Sequence, residues 1–366
     1  MNKTCVFVLL LLVIFPGCKE NREEEKSLPE VKYNGTEPPR DLEAREGMVW
    51  IPGGLFEQGG IAEDAQAMAH EKPAHPVFVD GFFMDKTEVT NGEFSEFIEA
   101  TGYITLAERE ISWEEMKQQL PRGTPKPADS LLQPGSLVFH KPKGNVTDLH
   151  DFGRWWVWKV GANWKQPNGP GSSVEGKEDH PVVHVAYEDA VAYCEWSGRR
   201  LPTEAEWEFA ARGGKKNSKF SWGDDENALT KMANTWTGEF PVNNTEADGY
   251  EGSAPVASFP SNGFGLFDMA GNVWEFTSDY YDPQYYRKLP PGVAENPQGP
   301  ETAYKGYNPN LNAKVIKGGS YLCHASYCAS YRVSAKMPQT LDSSHGHLGF
   351  RTVVTPAMLR KRIGEN

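Results

Sequence analysis

Gly198-Arg199-Arg200-Leu201-Pro202-Thr203-Glu204-Ala205-Glu206-Trp207-Glu208 contains a helix start that can be read locally. Thr203 and Glu206 stand three apart, the spacing at which each side chain satisfies the other's free backbone N–H. Trp207, Ala210 and Ala211 then share one face, and Gly213-Gly214 stops the helix. A second box, Thr90-Asn91-Gly92-Glu93, precedes Phe94, Phe97 and Ile98, with Gly102 as the stop. Tyr187, Ala190, Val191 and Cys194 predict a third helix, ended by Gly198. Strand-like stretches are Val77–Val79, Pro181–Val185 and Lys314–Lys317. Long segments rich in Gly, Asn, Asp, Trp and Tyr lie between them. The 36 Gly and 27 Pro among 366 residues exceed the usual share and count against a helical bundle. The pattern predicts an α+β fold of low regular secondary-structure content. Its long loops need fixing by aromatic packing, metal ions or disulfides.

Outward from this region the chain is acidic, with 37 Lys and Arg against 50 Asp and Glu and a net charge of −13. No excess of cations exists to displace counterions, so no nucleic-acid partner is expected. Residues 1–18 predict a signal peptide: Lys3 is followed by an apolar run from Val6 to Phe15, too short to span a bilayer. Phe15-Pro16-Gly17-Cys18 ends it in a lipobox-like way, with Cys18 as the expected lipid site. The charged run from Lys19 to Lys26 opens a tether over 19–46 and resembles a surface-export signal. The folded domain is expected over 47–355, with a basic tail over 356–366. These features predict an exported envelope lipoprotein, periplasm-facing or surface-exposed, that meets the membrane only through a lipid anchor at Cys18.

Five cysteines are present. Cys5 lies in the signal and Cys194 on the apolar face of its helix, where a buried thiol is expected. Cys323 and Cys328 remain, spaced C-x4-C. In an exported protein that spacing allows a local disulfide, a soft-metal site or a redox pair.

Several stretches resemble the formylglycine-generating enzyme (sulfatase-modifying factor) family. They are Met48–Gly54, Val79–Asp85, Lys159–Trp164, the 198–208 run, Gly263–Glu275, Gly318–Cys328 and Leu348–Arg351. The resemblance covers Met48 to Val354 and implies a C-type-lectin-like α+β core. It implies a copper-dependent oxidase that converts a sulfatase cysteine, in a C-x-P-x-R motif, to Cα-formylglycine with dioxygen. Cys323 and Cys328 would hold Cu(I), a soft ion suited to thiolates. Ser320 would stand beside the metal, and His324 and Tyr327 would line the pocket. Two calcium sites are also implied. Asn234, Thr235, Asp248 and Tyr250 form one set, the Thr and Tyr through carbonyls. Asp268, Gly271, Val273 and Glu275 form the other, Gly271 and Val273 through carbonyls. Oxygen ligands from loops suit calcium.

The chain departs from the family at Lys336, where an Arg that binds substrate is usual, and at His347, where Asn is usual. Both are expected near the peptide groove, and Lys lacks the bidentate fork of Arg. Thr352, Ala211 and Val333 replace cysteines of structural disulfides found in some members. A non-catalytic envelope scaffold or ligand-binding lipoprotein on the same fold is the alternative.

Overall fold

A computed structural model describes residues 37–365 apart from 43–44, 121 and 307–311. The signal segment, Cys18 and most of the tether lie outside the described residues. In chain order the first elements are β1 (Met48–Ile51), β2 (Gly54–Gln58), β3 (His75–Val79), β4 (Phe82–Asp85), α1 (Asn91–Thr101) and α2 (Trp113–Gln119). The middle of the chain forms β5 (Gly135–Phe139), β6 (Trp156–Val160), α3 (Tyr187–Ser197), α4 (Glu204–Arg212), α5 (Leu229–Met232), β7 (Gly238–Glu239) and β8 (Asn243–Asn244). The last part forms β9 (Trp274–Tyr280), α6 (Tyr285–Lys288), β10 (Ala294–Glu295), β11 (Ala313–Lys317), β12 (Met337–Thr340), β13 (Leu348–Gly349), β14 (Val353–Val354) and α7 (Pro356–Glu365).

The expected helix starts are present. Thr90 Oγ1 accepts from the Glu93 N–H and Thr203 Oγ1 from the Glu206 N–H, and both boxes are reciprocal. Gly102, Gly198 and Gly213 close α1, α3 and α4 in the left-handed conformation. Phe94 and Phe97 of α1 pack with Tyr193 and Cys194 of α3, Phe350, and Phe276 of β9. Burial of each such Phe contributes about 2 kcal/mol. α4 lays Trp207 against Ile51, Val77, Val79, Phe82 and Met84.

The strands form small sheets rather than one large one. Their orders are β1-β4-β14, β10-β3-β2 and β12-β11-β9-β13, with separate pairs β5-β6 and β7-β8. The central pair β11-β9 is antiparallel and joins Ile316 to Phe276 and Lys317 to Glu275. Among the described residues no helix is long and apolar enough to cross a membrane.

Two expectations need correction. Pro181–Val185 is not a strand: only Pro181 makes a bridge, to Thr90, and His184 has φ 60°, which breaks an extended run. The tether does not reach Glu46 as a solvated segment. Leu42 is buried with Met48, Phe83, Val354 and Leu359. The C-terminal tail is helix α7, whose Arg360 pairs with Asp41 at 2.9 Å. α7 carries Arg360, Lys361 and Arg362, while the buried Leu359 anchors it.

Candidate active site

β11 is followed by Gly318 and Gly319, both at positive φ. A Cβ on Gly319 would lie 2.8 Å from the Ser330 carbonyl carbon, so the turn requires glycine for close approach as well as for φ. The loop that follows folds around one acceptor. The His324 carbonyl receives the N–H groups of Tyr327, Cys328 and Ala329 at 2.9, 3.0 and 3.1 Å. This turn brings Cys328 Sγ to 2.7 Å from Cys323 Sγ, with both cysteines free. The Ser320 N–H points at Cys323 Sγ from 3.4 Å, and Ser320 itself is fully buried.

The two sulfurs are not equivalent. Burial first, and then the neighbouring sulfur, push the Cys323 thiol well above its ordinary range. Cys328 is only partly exposed and desolvation opposes its ionisation too, but the hydrogen bond between the sulfurs and those from Ser330 and His324 outweigh this and lower it. Cys328 therefore gives up its proton first, which is the state a thiolate ligand needs.

Both cysteines open into a cleft of about 800 Å³. Aromatic residues in its walls include Trp156, Phe240, Trp274 and Tyr327. Tyr327 stacks on Phe240 with centroids 4.5 Å apart. His347 lines the cleft beside Trp156 at 4.7 Å, and His345 lies 5.5 Å from His347. Burial lowers His345 to about 4 and His347 well below the ordinary range, so both rings are neutral near pH 7. The structure thus brings Cys323, Cys328, Ser320, Tyr327 and His347 to one cleft.

Two expected groove residues are placed elsewhere. His324 does not line the cleft. Its Nδ1 sits 2.8 Å from Ser326 Oγ, so the residue organises the turn that carries Cys328. Lys336 is buried under α4, its Nζ 3.0 Å from Glu204 Oε1 and 3.6 Å from the Tyr286 ring centroid. An ammonium with no exposed tip cannot meet a peptide, and the expectation of a groove cation at 336 is corrected. His345 was not foreseen; the turn at Gly346 and His347 that brings the two rings together carries no signal in the local sequence. His184 is structural, with Nδ1 2.8 Å from Ser136 Oγ and Nε2 2.8 Å from the Pro167 carbonyl. Cys194 is a free, buried thiol.

The two oxygen-rich sets adjoin, since Asn234 bridges Gly271 and its carbonyl accepts from the Asn272 N–H at 2.9 Å. In the first set, Asn234 Oδ1 and Thr235 Oγ1 are buried without a partner. Asp248 accepts from the N–H groups of Thr235 at 2.8 Å and Tyr250 at 3.2 Å. Orphaned buried oxygens beside a carboxylate fit a hard cation. The second set fits in charge but not in every ligand. Glu275 is already engaged: both oxygens receive Arg351, at 2.6 and 2.7 Å, and Oε2 also receives Trp207 Nε1. A carboxylate oxygen without a hydrogen bond is instead Glu88 Oε2, 3.9 Å from Arg351 Nη2, on a residue missing from the expected set. Glu88, Asp268 and Glu275 are all buried around the single Arg351. Burial, then the neighbouring carboxylates, push Glu88 up, and burial pushes Asp268 to about 6. That excess of buried negative charge suits a cation. Among the described residues no three His, Cys, Asp or Glu side chains converge as a metal cage, so carbonyls would have to supply much of either shell.

Comparison with known proteins fits this arrangement. Residues 34–356 match the family model described as the sulfatase-modifying factor enzyme 1-like domain. A formylglycine-generating enzyme of Thermomonospora curvata is 43% identical over 319 residues, 86% of this chain and 95% of the relative. That of Mycobacterium tuberculosis is 44% identical over 311 residues, 84% of this chain and 98% of the relative. An inactive Cα-formylglycine-generating enzyme 2 of Mus musculus is 36% identical over 307 residues, 83% of this chain and 84% of the relative. The solved structure of PvdO from Pseudomonas aeruginosa shares the fold, with a TM-score of 0.57 at 22% identity, over 84% of this chain and 94% of that one. The α+β core, the paired cysteines at an open aromatic cleft and these likenesses together make the chain a member of the sulfatase-modifying factor enzyme 1-like family, of the formylglycine-generating type.

Proposed function

We propose that the protein generates formylglycine from a cysteine of a sulfatase polypeptide, using Cu(I) and dioxygen. The observation that carries this reading is the pair Cys323 and Cys328, with sulfurs 2.7 Å apart, opening into a cleft of about 800 Å³. The relatives named formylglycine-generating enzymes support the same activity. In the overall change, the client CH2–SH becomes CHO and sulfur leaves as hydrogen sulfide. Dioxygen takes two electrons from the client and two from an external thiol pair, which becomes a disulfide; the net products are the aldehyde, hydrogen sulfide, the disulfide and one water. Cu(I) on Cys323 and Cys328 would supply the path by which dioxygen is reduced.

The remaining work falls to this chain's own groups. Cys328, the sulfur with the lowered pKa, is the first to present a thiolate. The Ser320 N–H fixes Cys323 by donating to its sulfur. Trp156, Phe240, Trp274 and Tyr327 exclude water from the reacting thiol. Neutral His345 and His347 add polar contacts without a competing positive charge.

Calcium at the Asn234/Asp248 and Asp268/Glu88 regions would brace the loops that carry Gly271 and the turn before β9. Export and a lipid on Cys18 would place the domain at the cell envelope; the charged segment from Lys19 supports a tether. Mass spectrometry of a C-x-P-x-R peptide incubated with the copper-loaded protein tests the activity. Conversion of thiol to aldehyde supports it, and an unchanged peptide favours a scaffold.

A further inference from the structure

We propose that the free edge of β6 is a docking strand for the extended client segment that flanks the reactive cysteine. The inference rests on the peptide-oxidase reading above and adds where the rest of the client lies.

The hydrogen bonds at the two ends of the β5-β6 ladder fix which groups are free. The Gly161 N–H donates to the Pro134 carbonyl at 2.9 Å, and the His140 N–H to the Trp155 carbonyl at 2.8 Å. In an antiparallel pair the residues that bond across alternate with those that do not. Residues 155, 157, 159 and 161 therefore turn their N–H and C=O groups toward β5. Trp156, Trp158 and Val160 turn theirs away, and β6 has no neighbour on that side among the described residues.

The same three residues share one face of the strand. Trp156 lines the cysteine cleft, and so does Leu137, the cross-strand partner of Trp158. The stripe Trp156–Trp158–Val160 thus runs outward from the cleft, with Trp158 36% and Val160 39% exposed. Exposed edges are usually blunted by charge, proline or a covering loop. Here the one charge on the strand, Lys159, lies on the opposite face. An apolar edge with unpaired main-chain groups, continuous with a reactive cleft, suits a polypeptide that adds as a strand. Main-chain pairing would hold any sequence, and the stripe would favour apolar side chains at alternate client positions.

The test uses two peptides in which serine replaces the reactive cysteine, so binding is read without turnover. One carries the motif alone, and the other adds a flanking segment with apolar residues at alternate positions. The longer peptide should bind the full protein roughly tenfold tighter, the scale of one aromatic anchor. Trp158→Ala should remove most of that gain and leave binding of the short peptide unchanged, which also shows that the variant is folded. N-methylation of alternate flanking amides should weaken the longer peptide against the unaltered protein. Val157→Ala, on the other face, should change nothing. Equal binding of the two peptides, or indifference to N-methylation, overturns the proposal. So does a concentration-dependent dimer that Trp158→Ala dissolves, since β6 would then join two copies. Retained binding without turnover of the cysteine peptide would instead sink the oxidase reading and leave the docking strand standing.

Discussion

Cys323 and Cys328 sit in one turn but in unequal surroundings, and their roles can be separated from packing. Serine keeps the shape yet offers a hard oxygen with poor affinity for Cu(I). Cys323→Ser and Cys328→Ser should each lose tight copper binding and lower turnover on the order of 10³-fold or more. Melting should shift little for Cys328→Ser, because that side chain is only partly buried. A metal assay beside a turnover assay checks both; full copper uptake by either variant would contradict the ligand assignment. Lys336 and His347 now part company. Lys336→Met leaves Glu204 buried against Tyr286 without its cation, a loss of about 3–5 kcal/mol. Denaturant melts should show that loss, while the KM of the folded fraction stays unchanged. His347→Asn lines the cleft and should move KM more than kcat, the pattern of uniform binding. The cysteines were legible because their loop fits a long fixed pattern. Lys336 was misread because burial of a charge depends on Glu204, distant in sequence and invisible to local reading. Glu88 was missed for the same reason: its free oxygen matters only beside Arg351 and Asp268.

At the scale of elements, helix α4 is the best-read part of the chain and carries the most charge into the core. Thr203, Glu206 and Gly213 mark its ends in sequence as in space. Its Glu208 is fully buried between Lys317 at 3.1 Å and Arg212 at 2.8 Å. Burial alone would raise its pKa, but Lys317 and then Arg212 overcome it and hold the carboxyl at about 2. A depressed carboxylate stabilises the fold above its unfolded pKa of about 4.5 and stops doing so as pH falls toward 2. Glu208→Gln should therefore cost about 3–5 kcal/mol at neutral pH, since two cations lose their partner. The difference from the parent protein should shrink as pH falls through that window. Urea titrations at several pH values measure it, and a pH-independent gap would refute the account. Pro181–Val185 shows the opposite case. Its apolar run reads as a strand, yet His184 adopts a left-handed conformation to reach Ser136 and Pro167. β5 and β6 went unread because Trp-Val-Trp-Lys-Val lacks alternation: both faces of β6 are partly exposed.

For the whole molecule, long loops hold the sites, and the buried carboxylates at the second proposed calcium position outnumber their one cation, Arg351. A cation that binds only the native state raises stability by about 2.7 kcal/mol at a hundredfold excess over Kd. Calcium should raise Tm and a chelator should lower it, with the effect reduced in Asp248→Asn; equal midpoints would count against the sites. The general α+β character was legible from turns, caps and aromatic-rich loops. The division into small sheets was not, because pairings such as β4 with β14 join chain ends that share no local signal. The central claim is that Cys323 and Cys328 make this fold an oxidase. The most direct measurement is mass spectrometry of a C-x-P-x-R peptide incubated with copper-loaded protein, dioxygen and a thiol reductant. The account predicts a peptide whose cysteine has become an aldehyde, with no product from Cys323→Ser or without copper. An intact cysteine after incubation with fully loaded, folded protein would contradict it.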